Sequence, residues 1–432
     1  MNLRLQLRSP KLALALVAGM LLALPISAKD RPVTDAQHAP NRHGLIVIAH
    51  RGASGYRPEH TLEAYRLAIR MGADFIEPDL VATKDGVLVA RHENEISGTT
   101  DVASHPGFAS RKTTKAIDGK PVTGWFTEDF TLAELKTLRA RERIPAVRPD
   151  NTRFDGMYQV PTFAEVVQLA KRESRGGRVI GVYPETKHPT YFAREGRRLD
   201  GTPIGISLGA KLLEVLVAEG FTDPARVYIQ SFEVENLLEL QNTLMPAAGV
   251  RYPLVQLFDD IHSAKPYDIG YNARSGIDLA RVYGGLVAQV DGGLGVDTLY
   301  GALASEAALG WMKANYATGI GPWKANLLPR VALDPKRDAN GDGKAELATR
   351  NNGRVHPMLG RALTAGLVVH PYTLRAEEPY LTQTPSGVSQ SVIGEAVQLY
   401  SLGAQGFFID QPDQGVAARE AFLDLNRPLR ER

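Results

Sequence analysis

Short apolar runs alternate with amphipathic segments along most of the chain. Eight apolar runs have the length and composition of buried strands, and the segments between them carry apolar residues at helical spacing. The predicted strands begin at Leu45, Phe75, Val179, Val227, Leu254, Ala317, Leu367 and Phe407. Strands that alternate with helices form parallel sheets, and eight such units fit a closed barrel. We therefore predict an α/β fold, a TIM (β/α)8 barrel with long inserted loops.

Helical patterns and polar, turn-rich stretches complete this picture. The predicted helices cover residues 61–71, 163–171, 208–219, 233–242, 302–315, 359–365 and 391–402. Two stretches, 97–159 and 259–297, exceed what a minimal barrel needs and are interpreted as excursions from it. The alternative fold is an open doubly wound sheet. Residues 50–55 (HRGASG) lack the glycine spacing of a dinucleotide-binding turn, which disfavours that alternative.

The first residues have the pattern of an export signal. Arg4, Arg8 and Lys11 precede an apolar stretch over residues 12–26, and a small-residue cleavage site ends at Ala28. The alternative, a membrane anchor, requires roughly 20 apolar residues, and this stretch has about 15. We predict a signal peptide over 1–28, a mobile leader over 29–43 and one elaborated domain over 44–432. This organisation predicts a periplasmic or secreted protein without stable membrane insertion.

Composition removes several classes of function. The chain has no cysteine, which excludes disulfides, thiolate nucleophiles and cysteine-ligated metal centres. Its formal net charge is +2 over 432 residues, so it carries no strong field for nucleic acid or anionic membranes. The oligomeric state is left open by the sequence.

Ionisable residues recur where the predicted strands end. They are His50 and Arg51, Glu77 and Asp79, Glu185 and Lys187, then His370 and Asp410, and the neutral amide Gln230 ends the strand that begins at Val227. In a barrel of this kind the active site lies at the carboxyl ends of the strands. We therefore expect these side chains to surround one pocket.

Three carboxylates in this set predict a metal site. Glu77 and Asp79 are two residues apart on one strand and project to the same face, where Glu185 can meet them. Three carboxylates cannot all stay ionised in a poorly solvated pocket without a counter-charge. A hard divalent cation, Ca²⁺ or Mg²⁺, provides it. The alternative for each residue is an ordinary surface ion pair.

Two histidines are the candidates for acid–base chemistry. An imidazole titrates near neutrality, so His50 and His92 can supply one base and one acid. Arg51 has the planar fork that suits a phosphate, and its alternative is a salt bridge to Glu77.

A separate segment resembles the first half of a calcium-binding loop. Asp338, Asn340, Asp342 and Gly343 match its positions 1, 3, 5 and 6, but Thr349 stands where a bidentate glutamate is expected. A structural Ca²⁺ site and an ordinary turn both remain open, and no catalytic role is assigned to this loop.

Taken together, the strand-end residues resemble the glycerophosphodiester phosphodiesterases, most closely the periplasmic branch. The matching segments are 50–56 (HRGASGY), 58–61 (PEHT), 77–79 (EPD), His92, 184–187 (PETK), 230–232 (QSF), 319–322 (GIGP), 369–373 (VHPYT) and 408–413 (FIDQPD). The similarity runs from about residue 45 to about 415, and the ordered set is far more specific than any one piece. It departs from the family at His60, where asparagine is usual, and at Glu93, where aspartate is common.

The resemblance implies a TIM barrel, a glycerophosphodiester substrate and hydrolysis to sn-glycerol 3-phosphate and an alcohol. It also implies roles: Glu77, Asp79 and Glu185 hold the cation, for which Ca²⁺ is favoured over Mg²⁺. His50 and His92 act as general acid and base, Arg51 and Lys187 bind the phosphate, and Glu59 supports them from behind. Two alternatives are a phospholipase-D-like or lysophospholipase activity on the same barrel, and a binding protein without catalysis.

Overall fold

Eight strand positions close into a ring in the computed structural model, which describes residues 44–427. The strands are, in chain order, β1 (Ile46–Ala49), β2 (Phe75–Ile76), β3 (Asp79–Ala82), β4 (Leu88–Ala90), β5 (Thr113–Ile117), β6 (Lys120–Gly124), β7 (Gly181–Val182), β8 (Glu185–Thr186), β9 (Ile229–Ser231), β10 (Leu254–Phe258), β11 (Ala317–Pro322), β12 (Arg330–Arg337), β13 (Leu347–Asn351), β14 (Val368–Val369), β15 (Thr382–Gln383), β16 (Ser389–Gln390) and β17 (Gly406–Ile409). The ring positions are β1, β2 with β3, β7 with β8, β9, β10, β11, β14 and β17. Each of the eight predicted strand starts lies within two residues of an observed one, so the predicted barrel is confirmed.

Parallel pairing runs from each position to the next. β17, β1, β2 and β7 form one continuous ladder, and β8, β9, β10, β11 and β14 form another. The ring closes where the Gln405 amide donates to the Val369 carbonyl at 3.2 Å and the Phe408 amide donates to the Pro371 carbonyl at 3.0 Å. Closure removes the exposed strand edges of an open sheet. The open doubly wound alternative is therefore excluded.

The helices lie between the strands, as the periodicity predicts. They are α1 (Leu62–Arg70), α2 (Leu132–Leu135), α3 (Phe163–Glu173), α4 (Leu208–Ala218), α5 (Val234–Glu239), α6 (Met245–Ala248), α7 (Tyr267–Arg274), α8 (Leu279–Tyr283), α9 (Tyr300–Leu303), α10 (Glu306–Asn315), α11 (Lys324–Leu327), α12 (Pro357–Thr364), α13 (Val392–Ser401) and α14 (Pro412–Leu425). The first begins where predicted, because the Thr61 hydroxyl accepts the Ala64 amide at 3.1 Å and caps the free end of the helix.

The core has two parts. The small cluster comes from different positions of the ring, and the larger cluster joins strands to helices; the small one consists of Ile48, Phe75, Tyr183, Val255 and Phe408. Side chains on a strand alternate between its two faces. The small cluster therefore fills the barrel, and the large one attaches the helices to its outside.

Two ring positions are interrupted by a proline. β2 ends at Ile76 and β3 begins at Asp79, with Pro78 between them. We expect regular pairing to stop by Pro78, because proline has no amide to donate. The ladder instead resumes at once: the Pro78 carbonyl accepts the Glu185 amide at 3.0 Å, and Asp79 pairs directly with Glu185. The proline thus breaks the ladder without ending the strand.

The excursions form small structures of their own. Residues 97–159 contain the β5–β6 hairpin and α2, and residues 259–297 contain α7 and α8. A further insertion is the β12–β13 hairpin, which joins β15 and β16 in a four-stranded sheet.

The predicted calcium-like loop is the tip of the β12–β13 hairpin. Its Asp338 carboxylate accepts the amides of Gly341 and Gly343, and the buried Glu378 accepts the amides of Ala339 and Asn340. Side-chain oxygens that accept amides of their own turn are the ordinary bonding of such turns.

The predicted signal peptide and leader lie outside the described residues. Within residues 44–427, none of the helices combines the length and the apolar character that a membrane crossing needs.

Candidate active site

The interrupted strands bring three carboxylates together at one end of the barrel. Asp79 and Glu185 are neighbours across the β3–β8 ladder, and Glu77 precedes Pro78. One oxygen from each carboxylate lies within 4.8 Å of the others. All three side chains are buried, with 5% exposure or less.

The cations that contact this cluster, Lys187 and Arg51, compensate its negative charge only in part. Burial and the charges of Asp79 and Glu185 raise the pKa of Glu77 well above its usual value, and burial raises that of Glu185 to about 7. The Oδ1 atom of Asp79 is buried without a hydrogen-bond partner. Three oxygen donors with one unused lone-pair site fit a hard divalent cation, which prefers carboxylate ligands. The donor set alone does not select between Ca²⁺ and Mg²⁺.

His50 follows β1 and is held by a buried carboxylate. Its Nδ1 lies 2.5 Å from Oδ1 of Asp410, at the end of β17. We assign the ring proton to Nδ1 because a carboxylate accepts there. Nε2 is then free to take a proton, and it lies 3.9 Å from Glu77 Oε2 and 3.4 Å from the Thr373 hydroxyl. Burial, assisted by the charge of Arg51, lowers the pKa of His50 to about 4.

His92 follows β4 and is the more open of the two histidines. Its side chain is 28% exposed, and its Nδ1 lies 2.7 Å from Oε1 of Glu93. Its Nε2 accepts from Lys187 Nζ at 3.2 Å, and that ammonium also donates to Glu185 at 2.7 Å. Burial and the charges of Arg51 and Lys187 lower the pKa of His92 well below its usual value.

The backbone of Arg51 has a left-handed conformation, and both its amide and its side chain contact residues of the site. Its φ of 58° is left-handed, a conformation that costs about 1–2 kcal/mol for a residue with a Cβ. In return its amide donates to Glu77 Oε2 at 3.0 Å. The guanidinium donates to Glu59 at 3.1 Å and its Nε lies 3.5 Å from Asp79. The salt bridge to Glu77, considered as the alternative role of this guanidinium, is not made: Arg51 contacts Glu77 through its backbone amide and pairs with Glu59 through its side chain.

The next residue must be glycine. Gly52 has a φ of +88°, and a Cβ placed there would lie 2.8 Å from the backbone of Ala64 in α1. This close approach fixes the first loop against the helix and so fixes the direction of Arg51.

The excursion over residues 97–159 supplies two arginines behind the site. Arg143 donates to Glu59 at 2.7 Å and to Glu93 at 2.7 Å. It thereby links the carboxylate that holds Arg51 to the carboxylate that holds His92. Arg148 donates to Asp410 and to the Ser54 carbonyl, behind His50. The sequence analysis did not find either arginine, because nothing in the local pattern marks a side chain whose partners lie 50 or more residues away.

One cavity of about 690 Å³ is lined by most of the predicted site residues. Its lining includes His50, Arg51, Glu77, His92, Glu185 and Lys187, which are six of the eight predicted site residues. The other two, Asp79 and Glu59, lie behind Arg51 and contact it. The volume is within the range of small-molecule sites, roughly 300–1,000 Å³.

The remaining strand-end residues divide into two groups. Gln230 donates to Glu77 Oε1 at 2.7 Å, and Asp410 holds His50, so both belong to the site. His370 lies among core rings instead, with its Nδ1 3.0 Å from the Tyr183 hydroxyl, and burial lowers its pKa to about 3. The strand-end position of Asp410 was the only signal in the sequence that could have identified it as a partner of His50.

Fold and site together define a class of protein. A closed (β/α)8 barrel whose strand ends combine two histidines, three carboxylates suited to a cation and two cationic side chains has the parts of a metal-dependent hydrolase of phosphate esters. The sequence model of the Glycerophosphoryl diester phosphodiesterase family matches residues 50–273, more than half of the chain. The chain belongs to this family.

Individual relatives agree with this assignment. A glycerophosphodiester phosphodiesterase of Arabidopsis thaliana is 31% identical over 86% of this chain and 86% of its own length. One of Haemophilus influenzae is 29% identical over 94% of this chain and 97% of its own length. The crystal structure of a Silicibacter pomeroyi protein, 18% identical, superposes with a TM-score of 0.50 over 88% of this chain and 94% of that one. At that identity, the structural match supports the fold alone.

Proposed function

We propose that this protein hydrolyses glycerophosphodiesters to sn-glycerol 3-phosphate and an alcohol. The observation that carries the proposal is the convergence of two histidines, two glutamates, Arg51 and Lys187 on one cavity, with the third carboxylate, Asp79, clustered against the glutamates. These groups can supply the base, the acid and the positive charge that cleavage of a phosphate ester needs, and the family and the relatives bear the name of that activity.

Glu77, Asp79 and Glu185 would hold a divalent cation, with Ca²⁺ favoured over Mg²⁺. When bound, the cation supplies positive charge that polarises the phosphodiester. Arg51 and Lys187 would bind the phosphate oxygens and offset the charge that grows on them. Glu59 holds the Arg51 guanidinium, with 5% exposure of its own, and so limits where that group can point.

His50 is assigned the role of base. With its proton on Nδ1, its Nε2 would take the proton of the attacking oxygen, either water or the 2-hydroxyl of the substrate. That oxygen bonds to phosphorus, and the bond from phosphorus to the departing alcohol breaks. In the second case the resulting cyclic phosphate is opened by water.

His92 is assigned the role of acid, giving its proton to the departing alkoxide. In the free protein, Arg51 and Lys187 disfavour a charged imidazole at this position. A bound phosphate contributes negative charge between those cations, which favours protonation of His92 when substrate is present.

Turnover of glycerophosphocholine by the purified protein tests the proposal. We expect His50→Ala and His92→Ala each to lower kcat by roughly 10²-fold or more, the usual scale for acid–base groups. His105→Ala is the matched control, since that histidine does not line the cavity. Chelation with EDTA should abolish turnover, and Ca²⁺ or Mg²⁺ should restore it. Near-native turnover in both histidine variants would exclude this mechanism, and choline phosphate as a product would exclude the proposed bond cleavage.

We further propose that the protein acts in the periplasm or outside the cell. The support is the pattern of residues 1–28, a basic start followed by an apolar run and a small-residue site. Absence of cysteine is compatible with an oxidising compartment. Sequencing of the exported protein should give Lys29 as its first residue, and retention in the cytoplasm would contradict the proposal.

A further inference from the structure

Three cationic side chains line the cavity in addition to Arg51 and Lys187. They are Lys324 at the start of α11, Arg330 at the start of β12 and Arg375, which follows β14. Arg375 donates to Asp410 at 2.8 Å and so belongs to the support of His50. Lys324 and Arg330 have no part in the proposed chemistry.

These two cations share one carboxylate. Glu395 of α13 is 1% exposed and accepts from Lys324 Nζ at 2.8 Å and from the Arg330 guanidinium. The pair is therefore short of one negative charge. Arg330 has a buried Nε without a hydrogen-bond partner, although its side chain is 13% exposed.

The excess charge is unfavourable in the free protein. Lys324 is 4% exposed, and its Nζ also donates to the Tyr380 carbonyl at 3.2 Å, which carries no formal charge. Burial lowers the pKa of Lys324, the Glu395 carboxylate opposes that change, and Arg330 adds to it. A second anion at this position would relieve both cations.

No carboxylate of the cavity lining compensates them. Glu77 and Glu185 belong to the cation site, and Asp260 accepts the His262 amide and the Ser263 hydroxyl within its own turn. Among residues 44–427, no ion pair joins Asp260 to Lys324 or Arg330.

We propose that Arg330 and Lys324 form a subsite for a second anionic group on the alcohol side of the substrate. The inference rests on the proposed hydrolysis of glycerophosphodiesters and names the class that the site prefers: diesters whose alcohol carries a carboxylate or a phosphate. A guanidinium binds either group through two parallel N–H bonds, and the neighbouring ammonium adds charge.

The position of Arg330 in the fold agrees with a role in specificity. It begins the β12–β13 hairpin, an insertion that lies outside the barrel ring but reaches the cavity through Arg330 and Thr349. Selectivity in barrel enzymes is carried by such loops and insertions, while the ring supplies the common chemistry.

Two matched pairs of substrates test the subsite. Glycerophosphoserine differs from glycerophosphoethanolamine by one carboxylate, and glycerophosphoinositol 4-phosphate differs from glycerophosphoinositol by one phosphate. We expect the wild-type kcat/KM to favour the anionic member of at least one pair by about ten-fold, the effect of one charge-assisted hydrogen bond. The pair that shows the preference identifies the anion as carboxylate or phosphate.

Substitution of Arg330 provides the second arm. Arg330→Gln should bring the preference down to about two-fold or less, mainly through KM, and Arg330→Lys should retain part of it. The substitution leaves Lys324 and Glu395 as a balanced pair, so we expect the fold to persist, with circular dichroism as the check. Arg350→Gln is the control, since it removes the same charge from the exposed part of the same hairpin.

The outcomes separate the two proposals. Equal kcat/KM within both pairs, or a preference that survives Arg330→Gln, overturns the subsite and leaves the hydrolysis intact. If the wild type cleaves none of the four diesters but does cleave glycerophosphocholine, only the subsite fails; if it cleaves none of the five, the proposed function itself fails. Should Arg330→Gln not fold, the comparison of substrates on the wild type and on Arg330→Lys still decides the question.

Discussion

The two site histidines each carry a carboxylate on Nδ1, but the carboxylates differ in their surroundings. Asp410 is 1% exposed and is held by Arg148 and Arg375, whereas Glu93 is 36% exposed and is held by Arg143. A buried, doubly paired carboxylate fixes the ring of His50 in one tautomer and one direction. The more open Glu93 leaves His92 room to move. This difference suits a fixed base beside the cation site and an acid that must reach the departing group.

Removal of the Asp410 charge should weaken His50 as a base while leaving the imidazole in place. We expect Asp410→Asn to lower kcat by at least 10²-fold, because an amide can donate to Nδ1 and thereby place the ring proton on Nε2. KM should change little, since Asp410 lies behind His50 and outside the cavity lining. Steady-state kinetics with glycerophosphocholine provide the measurement.

Asp413→Asn is the control for this variant. Asp413 lies three residues away, is exposed and bonds to the Tyr56 hydroxyl. Native kcat in Asp410→Asn, in protein that retains its fold, would show that His50 does not depend on this partner.

Among the elements, the excursion over residues 97–159 supports the candidate active site. Two of its arginines brace the site from behind: Arg148 through Asp410, and Arg143 through Glu59 and Glu93. Ordering a loop of this length costs conformational entropy, which its contacts with the site help to offset. Its ion pairs tie it to both halves of the proposed acid–base machinery, so it serves as a structural support for the site.

The ion pairs between this excursion and the site can be weakened by substitution of one residue, Arg143. We expect Arg143→Gln to lower kcat/KM by about ten-fold or more, the scale seen when outer partners of active groups are removed. The reason is that Glu59 loses its bidentate partner and is left to Arg51 alone, while Glu93 is freed from its position beside His92. Assays across pH should also show the alkaline limb of kcat/KM shifted to higher pH, because burial and nearby cations that include Arg143 lower the pKa of His92, the proposed acid. A purely structural role would not produce that shift.

Arg141→Gln is the matched substitution for that test. Arg141 lies two residues earlier, has a 50% exposed side chain and pairs with Asp155 at 3.7 Å. Equal kinetics in the two variants would exclude a brace at Arg143.

At the scale of the whole molecule, cation binding and folding are coupled. The three carboxylates meet only because β2, β3 and β8 are assembled in the closed ring, so the unfolded chain does not offer the site. An ion that binds only the folded state raises the free energy of unfolding, by about 2.7 kcal/mol when its concentration is 100 times Kd.

Calorimetry on metal-free protein should show this stabilisation. We expect Ca²⁺ to raise Tm in the wild type and to have no such effect in Asp79→Asn, which removes one ligand. Asp338→Asn, in the turn of the β12–β13 hairpin, should retain the full shift. A reduced shift in Asp338→Asn would assign part of the binding to that turn, and an unchanged shift in Asp79→Asn would contradict the proposed cation site.

What the sequence alone determined follows from local periodicity. Alternating apolar runs and helical patterns specify strands and helices, and eight repeats of the unit specify a ring. Because the ring sets its carboxyl strand ends around one mouth, His50, Glu77, Asp79, His92, Glu185 and Lys187 could be predicted to meet, and the structure brings them together.

Tertiary structure decided everything that depends on contacts between distant segments. Asp410 is 360 residues from His50, and Arg143 is 84 residues from Glu59, so no periodicity links them. Pro78 shows that local pattern can also mislead about a strand end. Because proline has no amide N–H, the sequence suggests that the strand ends there. In the structure the Pro78 carbonyl accepts an amide of the neighbouring strand, and the ladder continues. Local pattern fixes which residues reach the mouth of the barrel, while contacts between segments far apart in the chain fix what holds them there.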